Sequence, residues 1–223
     1  MMQTIQNLKK LLINNKGFFV PYFTFLLFGL IILLSFKKGE VLLFINANHN
    51  QYLDIFYKYV TNLGERYYFA VVIIILGLFR VKYFIQGLLL FTFTGLSAQI
   101  LKKLFDEPRP ISFFADSITL NLVDGVTVYS WNSFPSGHST SAFTIFLFFS
   151  FLIKNQLLKF LFFIIALNVA ISRIYLVQHF FVDIYFGSLL GTILTIFLFN
   201  YLEYNEKLNS KKWYNYQLVK IKK

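Results

Sequence analysis

The sequence predicts an all-α polytopic membrane protein, a six-transmembrane-helix bundle with a surface-lying helix between spans one and two. Three observations carry that prediction. Of its 223 residues, 57% are hydrophobic and 21% aromatic, and 14% are charged, which is too apolar for a soluble domain of this length. Apolar runs close to the ~20 residues a bilayer requires recur along the chain. Basic residues collect at alternate ends of those runs, as cytoplasmic loops require.

Residues 1–16 are polar with scattered Leu and Ile, the pattern of a short interfacial helix or a frayed tail. Lys9, Lys10 and Lys16 precede a long apolar run with no cleavage-site pattern of small residues, so an uncleaved first span over Phe18 to Phe36 is expected. In the mixed stretch 37–66, Leu53, Phe56, Tyr57, Val60 and Leu63 recur at helical spacing, which predicts the surface helix. Tyr67 to Phe79 forms a short second span closed by Arg80 and Lys82, and Tyr83 to Leu101 the third. A long loop with Pro108, Pro110 and Gly125 runs from Lys102 to about Ser133. The remaining spans are expected from Pro135 to Ile153, Leu157 to Tyr175 and Ile184 to Leu202, with a basic tail over 203–223. One domain over 1–223 accommodates all of this.

Charge orients the bundle. The segments on the side of the termini hold Lys9, Lys10, Lys16, Arg80, Lys82, Lys154, Lys159, Lys207, Lys211, Lys212, Lys220, Lys222 and Lys223, against only Glu203 and Glu206. The opposite side is neutral, so the whole +11 falls on one face. This predicts cytoplasmic termini. It also excludes nucleic acid as a partner, because the excess is scattered over several short segments rather than gathered in one stripe. The chain has no cysteine, which removes disulfides, thiolate metal sites and cysteine nucleophiles.

Three polar clusters then emerge at the non-cytoplasmic face. In the first, Lys102 is followed by Arg109 and Pro110, with Pro108 also stiffening the backbone around a guanidinium whose planar fork suits phosphate oxygens. The second is Asn132 to Thr140. There Asn132 or Ser133 can cap a helix, Pro135 suits its first turn, and Gly137 lets a ligand approach free N–H groups beside His138. The third is Ser172 to Asp183, holding Arg173, His179 and Asp183; on a helix the last two share a face. Taken singly, each has a bland explanation: a snorkelling lysine, a capped helix start, a structural His–Asp pair. Two histidines, an aspartate, a lysine and two arginines at one depth instead call for a shared anion with several oxygens, and phosphate fits best.

In order and spacing the clusters match Lys-x6-Arg-Pro, Pro-Ser-Gly-His and Ser-Arg-x5-His-x3-Asp, here Lys102 to Pro110, Pro135 to His138 and Ser172 to Asp183. The chain therefore resembles the type 2 phosphatidic acid phosphatase (PAP2) superfamily, in its bacterial integral-membrane branch. The motifs span 102–183, and Asn46, His49, Leu53, Asp54 and Thr61 to Gly64 also look like the surface segment of bacterial members. The resemblance implies a metal-independent hydrolase acting through a phosphohistidine. His179 would be the nucleophile, Asp183 its orienter, and His138 the acid and then the base. Lys102, Arg109, Ser136, Gly137 and Arg173 would bind the phosphate.

No cofactor, metal or obligate protein partner is implied. The acids Asp106, Glu107, Asp116 and Asp124 lack ligand spacing. The expected partners are a lipid phosphate substrate within the bilayer and the surrounding lipids. The expected location is the bacterial cytoplasmic (inner) membrane, with the site on its extracytoplasmic face. The resemblance admits undecaprenyl diphosphate, phosphatidylglycerol phosphate, phosphatidate and the phosphates of lipid A. Phe113, Phe114, Tyr129 and Trp131 are expected to shape the entrance for the lipid chain. A phosphotransferase sharing the first step, and an anionic lipid or phosphate transporter, are the alternatives. The transporter is disfavoured because transport needs no nucleophile–orienter pair, and because no pair of broken-helix repeats is present.

Overall fold

The computed structural model describes residues 2–115 and 117–219; Met1, Asp116 and the tail lysines Lys220, Lys222 and Lys223 lie outside the described residues. The chain is helical almost throughout. In order come α1 (Met2–Asn14), α2 (Lys16–Ser35), α3 (Glu40–Ala47), α4 (Gln51–Val60), a 3₁₀ turn (Thr61–Gly64), α5 (Arg66–Phe79) and α6 (Val81–Phe105). They are followed by α7 (Pro110–Phe113), α8 (Gly137–Leu152), α9 (Gln156–Tyr175), α10 (Phe181–Glu203) and α11 (Glu206–Asn209).

Every stretch expected to span is helical, but not all are equal. Among the described residues four segments are long and apolar enough to cross a membrane alone: Lys16–Ser35, Val81–Phe113, Gln156–Tyr175 and Phe181–Glu203. The second expected span, α5, has 14 residues and reaches only ~21 Å against a hydrocarbon core of ~30 Å. It qualifies only together with Gln51–Gly64, to which it is bent by 55°. The fourth, α8, has 16 residues, ten of them buried. It is walled by α6, α9 and α10, so it does not have to meet the lipid along its whole length. The helix expected from the Leu53 to Leu63 spacing is α4 with the 3₁₀ turn, capped by the Asn50 side chain through the Leu53 N–H, and a further short helix, α3, precedes it.

The core lies along α8. Phe143 contacts Phe18, Tyr22, Phe25 and Phe163, with ring centroids 5.5–6.4 Å apart, tying α2 and α9 to the central helix. On its other side α8 meets α10 at very short range. A Cβ on Gly187 would stand 2.7 Å from the Ser136 carbonyl oxygen, and one on Gly191 would collide with that of Thr140. Between helices in lipid, where apolar burial gives little net drive, such close backbone approach through small residues is the main source of packing energy.

The end of the bundle carrying the termini is closed by polar contacts. Lys82 reaches Glu203 at 3.0 Å and Asn209 at 2.8 Å, and the tail binds the α5–α6 turn through Val81 N–H to Tyr216 and Val219 N–H to Leu78. The three motif clusters lie at the opposite end.

The glycine contact gives a direct prediction. Gly191→Val should lower thermal stability in detergent by about 1–3 kcal/mol, as overpacked cores do. Gly95→Ala, whose Cβ meets nothing within 4 Å, should leave the melting temperature unchanged. Thermal unfolding monitored by circular dichroism distinguishes them.

Candidate active site

The site begins with the way α9 ends. Leu176 is its C-cap, and Val177 follows in the left-handed region at φ 58°. The Gln178 N–H then reaches back to Arg173 O at 2.9 Å and the Val177 N–H to Ile174 O at 3.0 Å. This is the Schellman pattern of a helix end. The His179 N–H also binds Arg173 O, at 3.0 Å, so the reversal places His179 in the short gap before α10.

His179 and Asp183 were expected to meet on one helical face, but His179 precedes α10. Asp183 reaches it from the first turn of α10, accepting the Phe180 N–H at 2.9 Å as a cap does. Its Oδ2 lies 3.3 Å from His179 Nδ1 and accepts the Ser133 hydroxyl at 2.5 Å. An aspartate on Nδ1 selects the tautomer that leaves the Nε2 lone pair free. Burial holds the His179 imidazole well below its ordinary pKa of 6.5, and the positive charges of Arg109, Lys102 and Arg173 add to the effect. Both effects favour the neutral imidazole.

Three cations face it. Lys102, one turn from the end of α6, is 8% exposed and donates to the Asn132 carbonyl at 2.5 Å. Arg109 is fixed by its N–H to Ser130 O, its Nε to Trp131 O at 2.9 Å and its Nη1 to Gln178 Oε1 at 3.0 Å, with Tyr129 under the guanidinium. Arg173 does not pair with Asp183. Its Nη1 donates to Thr61 Oγ1 at 2.6 Å, and its buried Nε has no acceptor among the described residues.

The N-terminus of α8 completes the arrangement. Its cap is Ser136, not Asn132 or Ser133, and the helix starts at Gly137, after Pro135. Asn132 is in the left-handed region, at φ 59°, and the Ser133 hydroxyl is committed to Asp183. The N–H groups of Gly137 and His138 are left as first-turn donors, with the helix dipole behind them. The Ser136 hydroxyl accepts from Ser139 Oγ at 3.0 Å and Ser139 N at 3.4 Å, while its own N–H holds Asp183 O. Ser136 is fully buried and is not among the residues that line the cavity.

A cavity of about 620 Å³ joins these groups, and Lys102, Arg109, Gly137, His138, Arg173 and His179 all line it. Asp183 stands behind His179, as an orienter must. The cavity continues along α6 past Ala98, Gly95 and Thr94 to Phe91. Of the four loop aromatics expected at the entrance, only Tyr129 lines it. Phe114 is buried and Phe113 packs on Phe180 at 5.3 Å, because Lys38 and Gly39 offer these rings a cation and a close backbone contact.

Sequence reasoning missed Glu65, which lies in this cavity with its Oε1 3.0 Å from His138 Nε2. The hydrogen bond from His138 is the main reason its carboxyl sits below the ordinary range. The available signal was a lone acid placed between the Thr61 to Gly64 run and an apolar helix, where charge is costly unless used. His49, by contrast, is outside the cavity, 3.7 Å from Asp54.

No curated protein sequence matches the chain. The crystal structure of Aquifex aeolicus LpxE is 30% identical, with a TM-score of 0.66 over 75% of this chain and 98% of that one. The Bacillus subtilis transmembrane PAP2 type phosphatidylglycerolphosphate phosphatase shares the fold at 24% identity, with a TM-score of 0.59 over 82% of this chain and 96% of that one. With its long apolar helices and these membrane neighbours, the chain is an integral membrane protein. The model of the PAP2 superfamily matches residues 83–207, which include all three clusters and the cavity's six motif residues, and the chain belongs to that superfamily.

Proposed function

We propose that the chain is a membrane lipid phosphatase working through a phosphohistidine, and one observation carries the reading. An imidazole oriented through Nδ1 stands in a cavity with three cations and a helix N-terminus, which is a nucleophile facing an anion cradle. Nε2 of His179 attacks phosphorus, and the bond to the leaving oxygen breaks as His138 supplies its proton. His138 then takes a proton from water as the water oxygen bonds to phosphorus and the P–N bond breaks. Lys102, Arg109, Arg173 and the N–H groups at Gly137 and His138 offset the charge on the phosphoryl oxygens, the largest contribution available in phosphoryl transfer. The unpaired Nε of Arg173 is a donor that a phosphate oxygen would satisfy. Ser136 caps α8, and its N–H holds the Asp183 carbonyl.

The substrate class is a phosphate monoester or diphosphate of a lipid, its chain lying along α6 between Ala98 and Phe91. Six membrane crossings, with α5 and α8 as short spans, agree with the charge distribution. On that arrangement the termini are cytoplasmic and the site faces outward from a bacterial cytoplasmic membrane. Purified protein assayed for phosphate release from undecaprenyl diphosphate, phosphatidylglycerol phosphate, phosphatidate and lipid A identifies the lipid. Equal turnover of all four refutes a dedicated role.

His179→Ala and His138→Ala should each abolish phosphate release while membrane insertion stays intact; near-normal activity of His179→Ala overturns the mechanism. Arg173→Lys should fail to restore activity, losing about 10²–10³ in kcat as an oxyanion donor does, because an ammonium cannot hold Thr61 and also present Nε. The lowered pKa of His179 has a further consequence. Protonation inactivates a nucleophile, so the acid limb of kcat/KM due to His179 should fall clearly below pH 6.5 once phosphate ionisation is allowed for. A limb at 6.5 or above shows a solvated histidine instead.

A further inference from the structure

The Asp183–His179 pair has a counterpart across the cavity. Glu65 Oε1 stands 3.0 Å from His138 Nε2, and both side chains line the cavity. The contact is built, not incidental. Glu65 follows the 3₁₀ turn, where Thr61 is bonded to Arg173 of α9 and where Gly64 presses on α8 and α9 so closely that a Cβ would lie 3.0 Å from His138 O and 2.6 Å from Val169 Cγ1. The turn thus fixes the start of α5, and Glu65 with it, against the backbone of His138 itself.

The other charged side chains lining the cavity among the described residues are all positive: Arg66 on α5, Lys102 and Lys103 on α6, Arg109 in the loop and Arg173 on α9. Glu65 is the one carboxylate lining the cavity among the described residues, and it is half-exposed where Asp183 is sealed. A carboxylate there opposes phosphate binding, so its placement needs another reason. A general acid–base histidine offers one, because it must carry a proton before leaving-group departure and recover it from water afterwards.

We propose that Glu65 is the positioning residue of His138, fixing its ring through Nε2 and holding its protonated form among the surrounding cations during leaving-group departure. The proposal rests on the phosphatase reading above. In the first half-reaction the proton passes from His138 to the leaving oxygen as the P–O bond breaks; in the second, water returns a proton to His138. Glu65 itself transfers nothing to substrate and acts only through the imidazole.

The test uses the leaving group. An alkyl phosphate such as a short-chain phosphatidate needs its departing oxygen protonated, whereas p-nitrophenyl phosphate does not. First-turnover release of the alcohol or phenol is measured for the wild-type protein, Glu65→Gln and Glu65→Asp in one detergent. Glu65→Gln should lose roughly 10-fold or more on the alkyl ester, a part of the ~10²–10⁴ that such an acid contributes, and much less on the aryl ester. Glu65→Asp should recover part of the alkyl rate. Equal loss on both esters, or no loss on either, overturns the proposal and makes Glu65 a packing or charge-balancing residue. If the wild-type protein releases phosphate from neither ester, the phosphatase reading fails first and the role of Glu65 with it.

Discussion

The closeness of α8 to α10 is the constraint on which the site depends. Gly187 and Gly191 let the two backbones touch at Ser136 and Thr140. One turn above that contact, the Ser136 N–H binds the Asp183 carbonyl, and Ser133 from the chain leading into α8 binds the Asp183 carboxylate. A helix–helix distance set by missing side chains therefore becomes a distance between a cap and an orienter. The aspartate is held by donors from two chain segments before it meets the imidazole at all. This matters because a catalytic constellation loses rate steeply with sub-ångström misplacement.

A second theme is how the cations are restrained without being neutralised. Lys102 rests on one backbone carbonyl, Arg109 on carbonyls and an amide, and Arg173 on a hydroxyl. Among the described residues none of the three is bonded to a carboxylate. Neutral acceptors hold one or more donors of each and leave the positive potential intact, with the Nε of Arg173 unpaired. Burying Lys102 and Arg173, with Arg109 half-buried beside them, is costly, and the side chains stay aimed because caps, prolines and a helix terminus stiffen the backbone around them. An anion held among the three would relieve that repulsion.

Much of this was legible in the sequence because charge is conspicuous in an apolar chain. Lys102, Arg109, His138, Arg173, His179 and Asp183 could be picked out by composition and spacing, and the helices they sit on by apolar run length. What failed was anything dependent on which side of a turn a short polar group takes. Ser133 looked like the cap and serves Asp183, while the cap of α8 is Ser136. The pairing of His179 with Asp183 obeyed the four-residue spacing for a different reason, since one precedes the helix and the other caps it. Glu65 was hidden because its partner lies 73 residues away, a separation no local period encodes. The short helix α3, and the bend into α5, escaped a reading that treats each apolar run as one straight rod.

The left-handed conformation of Val177 has a mechanical meaning. At this point in a helix ending, glycine is usual, and a β-branched residue there costs about 1–3 kcal/mol of local strain. Valine is also fully buried at this place, so neighbours enclose it on all sides. A glycine would give the reversal many shapes; valine, once forced into the fold, leaves it nearly one. His179 is thereby mounted like an anvil. The backbone reversal alone sets where the imidazole stands, before any side-chain contact is made.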